Sequence, residues 1–305
     1  MELRQLEYFA AVCEEMHFTR AADKLGITQP TLSHQIKALE DEIGTPLFDR
    51  IGKKIALTEA GFILKSHTRV MFNTLHSAKE QIQELHDGDR GMLTIGCLPG
   101  ELNHLVTLPL VEFNKQFPNI KIRIVADEDV AAKVVRNELD AALTIFPAGD
   151  NRLEQVPLYE EQFYLIAPKG HMLTKRKKID FDEVKKLPVI MFPESHKCRQ
   201  LLEATSCTLG FPLEPAIETN TIDSIFNLVK SGAGISILSK SLIDLHNDGS
   251  LEAIPVVNPS VTREVGVIYC QGKFLSRAAN AYIDMLQQFI IRNKVGNRTS
   301  SVRVM

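Results

Sequence analysis

Between Phe18 and Leu39 the apolar residues fall into two short runs with helical spacing, separated by a glycine. Ala21, Ala22 and Leu25 mark one face of a first helix. Leu32, Ile36 and Leu39 recur at steps of four and three in a second. Gly26 supplies the positive φ of a sharp turn, and Ile27 plugs the angle between the helices. Thr28 is a good N-cap, and Pro30 falls in the first turn, where its missing N–H has no intrahelical role. A helix from about Leu3 precedes this pair. After it, Leu47–Phe48 and Ile55–Leu57 flank Gly52 as the two arms of a short hairpin. From Thr58 and Gly61 to about His86 the apolar positions are Leu64, Met71, Leu75, Ala78, Ile82 and Leu85. This heptad rhythm predicts a long helix that pairs with a copy of itself, or else packs on another part of its own chain.

Asp87, Gly88, Asp89, Arg90 and Gly91 interrupt the pattern and predict a hinge. Beyond it, strands alternate with helices. Met92–Cys97, Ile120–Ala126 and Asp140–Phe146 read as strands, with helices at Leu102–Phe117 and Asp129–Glu138. That βαβαβ order predicts a mostly parallel sheet covered by helices. A second round follows: strand Pro188–Phe192, helix Ser195–Leu209, strand Ala216–Asn220, a helix from Ile222 and strand Ile235–Ser239. Phe163–Pro168 and Glu264–Cys270 are the expected crossings between two lobes, and a last helix, about Leu275–Arg292, returns to the first. The fold class is α/β. The expected organisation is a winged helix-turn-helix over 1–58, a linker helix over 59–86 and a hinge over 87–91. A two-lobed domain follows over 92–292, with lobe I at about 92–162 and 268–292 and lobe II at about 163–267. Residues 293–305 are polar and expected to be disordered.

The outer side of the second helix carries Gln29, Thr31, Ser33, His34 and Lys37, all able to hydrogen-bond and none a carboxylate. A recognition helix in a DNA major groove needs that composition, because it meets base edges and phosphates with donors. An ordinary helical hairpin is the competing reading. Arg50, Lys53 and Lys54 sit at the tip of the hairpin, where they suit a wing lying along phosphates or, failing that, a solvated turn. Net charge does not advertise this role. The chain carries −3, and residues 1–58 hold seven basic against nine acidic residues. DNA affinity would have to come from placement, with Lys37 and the hairpin cations on one face and the acids turned away.

The stretch from Leu3 to Gly61 closely resembles the N-terminal domain of LysR-type transcriptional regulators. The resemblance is carried by the paired alanines of the first helix, TQPTLS at the start of the second, KALEDEIG, LFDR and LTEAG. It continues more loosely to about Arg292. It implies a DNA-facing set of Gln29, Pro30, Thr31, Ser33, His34 and Lys37, with Arg50, Lys53 and Lys54 on the wing. One departure is His34, which stands where the family very often has arginine, and a histidine is shorter and mostly neutral at pH 7. The resemblance also implies that the C-terminal part is an effector-binding domain similar to periplasmic solute-binding proteins. Its ligand would sit between the lobes, at the carboxyl ends of the strands. The residues expected to line that cleft are Leu98, Pro99, Gly100, Thr144 and Phe146 from lobe I, with Pro193, Ser195, Asn220 and Thr221 from lobe II.

The implied partners are double-stranded promoter DNA and a small effector, an anion among the candidates although Glu101 and Glu194 would oppose one. A homodimer through the linker helix, a homotetramer and contact with RNA polymerase complete the set. No cofactor or metal is expected. Gly-x-Ser-x-Gly, the P-loop and Gly-x-Gly-x-x-Gly are absent, and the histidines lack metal-ligand spacing, so no enzymatic activity is expected. Six charges in the first twenty residues argue against a secretory signal, and no apolar run approaches the ~20 residues of a membrane span. With five scattered cysteines, the expected location is the cytoplasm. Two further readings stay open. One is a thiol-based peroxide sensor using Cys198 and Cys207, since peroxide-sensing members carry a cysteine pair in this region. The other is a solute-binding or enzymatic α/β domain whose N-terminus only oligomerises.

Overall fold

The computed structural model describes residues 1–51, 54–87, 91–99, 105–146, 149–293 and 295. The chain divides into two compact units, Met1–Leu85 with Arg136–Glu138, and the remainder.

In the first unit, α1 (Leu3–Glu15), α2 (Phe18–Leu25) and α3 (Gln29–Ile43) enclose a small core, followed by β1 (Phe48–Ile51), β2 (Lys54–Leu57) and α4 (Glu59–Asp87). Phe9, Val12, Ala21, Leu32, Ile36, Leu39 and Leu47 are fully enclosed there, and Phe48 joins them with its ring 5.4 Å from that of Phe9. The turn between α2 and α3 follows the sequence pattern: Gly26 has φ 67°, and the Thr28 hydroxyl accepts the Thr31 N–H at 3.4 Å. β1 and β2 pair antiparallel from Phe48↔Leu57 to Ile51↔Lys54. Gly61 lets α4 start against this hairpin, since a Cβ there would lie 2.2 Å from the Leu47 carbonyl oxygen. Over its 29 residues α4 runs for about 43 Å. Leu64 packs on the core of the first unit, whereas Met71, Leu75 and Ile82 stay 40%, 41% and 57% exposed.

The second unit opens with β3 (Gly91–Cys97), α5 (Thr107–Gln116), β4 (Ile120–Ala126), α6 (Val130–Val135) and β5 (Ala141–Ile145). β3 pairs parallel with both β4 and β5. The sixteen-residue β6 (Leu153–Pro168) then runs from one lobe into the other. Its Tyr159 is enclosed in the lobe I core and its Phe163 and Leu165 in that of lobe II. Lobe II contains β7 (Ile179–Asp180), β8 (Ile190–Met191), α7 (Lys197–Thr208), β9 (Ile217–Glu218), α8 (Ile222–Lys230), β10 (Ser236–Ser239), α9 (Lys240–His246) and β11 (Leu251–Val257). β12 (Thr262–Cys270) returns antiparallel along β6, and α10 (Arg277–Asn293) closes the lobe I core through Tyr282, Ile283 and Leu286.

Several expected boundaries shift. The first crossing strand begins at Leu153 rather than Phe163: its first half mixes three glutamates and two glutamines with apolar residues, includes Pro157 and is only partly buried, so no apolar run marks it. The return to lobe I comes earlier than residue 268, since Val265 and Val267 already lie in its core. The helix expected over Asp129–Glu138 stops at Val135, and Asn137 turns the chain with φ 53°. The helix expected from Leu102 is described from Thr107, and residues 100–104 lie outside the described residues. The unassigned stretches after Pro168 and Ser239 hold 3-10 turns at Met172–Lys175 and Phe181–Lys186, β7, α9 and β11. The 3-10 turns, β7 and α9 are too short for periodicity to mark, and Pro255 interrupts the apolar pattern of β11.

Candidate nucleic-acid interface and inter-lobe cleft

α3 is anchored from one side only. Leu32, Ile36 and Leu39 are wholly buried, which turns Gln29, Pro30, Thr31, His34 and Lys37 outward, with Ser33 half-buried beside them. The outward side chains are already ordered among themselves. Gln29 Nε2 donates to Ser33 Oγ at 2.8 Å, and the hydroxyls of Thr28 and Thr31 lie 2.8 Å apart. No carboxylate occurs along α3 before Glu40. Such a surface can offer donors to base edges and phosphates.

The acidic residues that make this unit net negative are largely engaged elsewhere. Glu14 accepts from Lys24 at 2.7 Å, and Glu15 lies 3.5 Å from Arg20. Glu42 pairs with the N-terminal ammonium. Glu40 Oε1 accepts the Leu47 and Phe48 N–H groups at 2.8 and 3.2 Å, so it ties α3 to the first hairpin strand. Glu40 and Asp41 nevertheless line one groove with Lys37, beside Gly44, Thr45 and Pro46, so the acids are not all turned away. Of the hairpin cations, Lys53 lies outside the described residues, as do the side chains of Arg50 and Lys54.

In the second unit, the strand ends of lobe I hold the expected residues in unequal roles. Leu98 is buried, with its N–H on the Leu143 carbonyl at 3.2 Å, and serves the core. Pro99 is exposed, and Gly100 lies outside the described residues. Thr144 is buried on β5, opposite Gly266 of β12. Phe146 is half-buried and lies over Gly266, where any Cβ would meet its ring at 2.3 Å. In lobe II, Pro193 is half-buried, while Ser195 and Asn220 are exposed. Thr221 is the N-cap of α8, its hydroxyl accepting the Ser224 N–H at 3.3 Å. Exposed Pro99, Ser195 and Asn220 are available to a ligand, whereas Leu98 is committed to packing.

Sequence patterns missed the strongest polar cluster of this unit. Glu161 and Arg263 stand directly opposite each other on β6 and β12. Both side chains are 1% exposed, and Arg263 Nε donates to Glu161 Oε1 at 2.7 Å. Arg263 also reaches Ser239 Oγ at 3.1 Å and Cys198 Sγ at 3.4 Å, and Glu161 Oε2 accepts the Ser241 N–H at 2.8 Å. Near this pair, Glu128 of lobe I accepts the Lys197 N–H at 3.2 Å and faces His196 Nε2 at 3.4 Å. The His196 ring stacks on Phe192 at 3.8 Å. Burial, with the positive charge of Arg263, pushes the His196 pKa down to about 4. Burial raises that of Glu128, opposed by the Lys197 N–H. The one available signal was a pair of adjacent charges in each crossing strand, Glu160–Glu161 and Arg263–Glu264, and register alone brings Glu161 and Arg263 together.

Cys198 is buried in the first turn of α7, and Cys207 is exposed near its end. On that unbroken helix nine residues separate the two Cα atoms by about 13 Å, whereas a disulfide needs them within ~7 Å. Burial lifts the Cys13 thiol to about 12, which keeps it protonated. Among the described residues, no His/Cys/Asp/Glu group of three could hold a metal ion, and no helix is long and apolar enough to cross a membrane.

Comparison with known proteins places both units. Residues 3–62 match the family model of the bacterial regulatory helix-turn-helix protein, lysR family, and residues 86–290 match the LysR substrate binding domain. The transcriptional dual regulator GltC of Bacillus subtilis is 30% identical over 95% of this chain and 97% of its own. Among solved structures, a full-length OxyR point variant from Pseudomonas aeruginosa superposes with a TM-score of 0.69 at 25% identity, over 94% of this chain and 95% of that one. The full-length CbnR in complex with its target DNA gives 0.66 at 19% identity over 95% and 100%, a likeness of fold. With one matched model spanning the helix-turn-helix and a second spanning two-thirds of the chain, this protein belongs to the LysR family of DNA-binding transcriptional regulators.

Proposed function

We propose that α3 enters the major groove of promoter DNA with Gln29, Thr31 and Ser33 at base edges, and with Pro30, His34 and Lys37 completing the contact surface. Arg50, Lys53 and Lys54 would lie on phosphates. The observation that carries this reading is the division of α3 into a fully buried apolar face and a carboxylate-free outer face. CbnR, similar in fold, is bound to its target DNA in the solved complex. The deciding experiment is fluorescence anisotropy on DNA upstream of the regulated gene and on scrambled DNA. Gln29→Ala should cost about 1–3 kcal/mol on the specific site and little on the scrambled one. Equal losses on both would remove α3 as the reader.

In this reading the second unit senses a small molecule between its lobes, and the exposed Pro99, Ser195 and Asn220, with Phe146, Pro193 and Thr221, are its contacts. Exposed Met71, Leu75 and Ile82 support α4 as a homodimer seam, with pairs of dimers forming a tetramer. Contact with RNA polymerase, a cytoplasmic location and a regulatory rather than enzymatic role belong to the same proposal. A thermal-shift screen of metabolites would identify the effector, because a ligand at 100 times its Kd stabilises by about 2.7 kcal/mol.

A further inference from the structure

We propose that Glu128 is a clasp between the two lobes, a carboxylate of lobe I held by the leading N–H of α7 in lobe II with the His196 ring set against it. It adjoins Ser195, one of the effector contacts of the reading above. The clasp stands on the contacts below, and its bearing on a ligand rests on that effector reading.

Glu128 is presented from a stiff segment. Asp127 donates its N–H to the Cys97 carbonyl at 3.1 Å and accepts the Asp129 N–H on Oδ1 at 2.8 Å. Its other carboxylate oxygen pairs with Lys133. Two residues beyond Glu128, Val130 is fully enclosed in lobe I. The receiving side is equally fixed. His196 is the N-cap of α7, its Nδ1 accepting the Cys198 N–H at 3.2 Å. A neutral imidazole that accepts on Nδ1 carries its proton on Nε2. Nε2 lies 3.4 Å from Glu128 Oε1, while Glu128 Oε2 accepts the Lys197 N–H at 3.2 Å. Stacking on Phe192 fixes the ring plane, and burial keeps the imidazole neutral at pH 7. The Lys197 N–H therefore holds one carboxylate oxygen and the His196 ring lies beside the other, and both groups belong to the opposite lobe from the acceptor. The arrangement differs from an ordinary helix cap, in which the acceptor comes from the same local segment.

Because the clasp joins two segments, removing either half should release the other. Hydrogen–deuterium exchange of the full chain, without DNA, tests this with Glu128→Ala and His196→Asn. Asparagine retains an N-cap acceptor for α7 but is too short to reach Glu128. Glu128→Ala should speed exchange in the segment 196–200 by about tenfold, and His196→Asn should speed it in 127–131 by a similar factor. The first turn of α8 should stay at the parent rate in both. Glu128→Gln, which keeps an acceptor oxygen without the charge, should fall between parent and Ala, and decides the matter if the Ala variant does not fold. Exchange at the parent rate in either segment overturns the proposal, as does loosening of 196–200 alone, which would make Glu128 only a cap. Promoter binding measured on the same variants separates the two readings. A chain that binds DNA with unchanged exchange loses the clasp alone, and one that loosens reciprocally without binding DNA keeps it.

Discussion

Arg263→Met offers the sharpest test of how the second unit is held together. Arg263 and Glu161 face each other across the ladder between β6 and β12, both 1% exposed. The substitution removes the guanidinium contacts to Glu161 at 2.7 Å and 2.5 Å and to Ser239 at 3.1 Å. It leaves the Glu161 carboxylate buried, with the Ser241 N–H on its other oxygen. Removing one member of a buried ion pair costs about 3–5 kcal/mol, because the remaining charge has lost its counter-charge and cannot regain water. For a unit of this size each kcal/mol moves the midpoint by about 2–4 °C, so the unfolding transition should fall by roughly 6–20 °C. The double change Glu161→Gln, Arg263→Met removes both charges and keeps an acceptor for Ser241. It should recover about half of that loss. The chain has no tryptophan, so calorimetry rather than indole fluorescence should resolve the transition. A single variant within about 2 °C of the parent would refute the reasoning, since the smallest expected loss is larger. A double variant less stable than Arg263→Met alone would refute it as well.

Other perturbations address the remaining elements. Leu75→Glu places a carboxylate in the exposed stripe of α4 and should lower the sedimenting mass and, through lost bivalency, weaken DNA binding; an unchanged mass would move the seam elsewhere. Lys53→Ala with Lys54→Ala should flatten the slope of log K against log salt by about two while sequence preference is kept, and a parental slope would make the hairpin a solvated turn. His196 gives a pH test. Its folded pKa of about 4 lies below the ordinary 6.5, so the unfolded chain binds more protons between those values. Its contribution is complete above pH 6.5 and lost as pH falls toward 4, by up to about 3 kcal/mol. The raised pKa of Glu128 has the opposite sign and offsets part of this. His196→Asn should therefore lose less thermal stability than the parent between about pH 7 and 4.5, and parallel curves would contradict the assignment.

Local regularities carried the sequence reading where one element decides its own shape. The turn at Gly26, the cap at Thr28, the inward Leu32–Ile36–Leu39 face and the α4 helix depend on spacing and φ preferences within a few residues, and all form as the pattern requires. Alternating strands and helices likewise announced a two-lobed α/β domain. Short elements such as β7 and α9 escaped because they span at most seven residues and take their stability from neighbours. Exposed residues at strand ends could be named from loop position, but Leu98 shows the weakness of that method, since its burial follows from what packs above it.

What the amino-acid order settled by itself was the longer helices, the buried face of α3 and, through the quoted motifs, the family. What the tertiary structure decided was which distant charges meet. Glu161 and Arg263 are 102 residues apart and pair because two long strands lie in one register. Glu128 and Lys197 are 69 residues apart and meet because the segment after β4 reaches the first turn of α7. Helix and cap preferences act over three or four positions and are written in the local sequence. An electrostatic contact depends on distance through space, which is fixed only once sheet order and lobe closure are set.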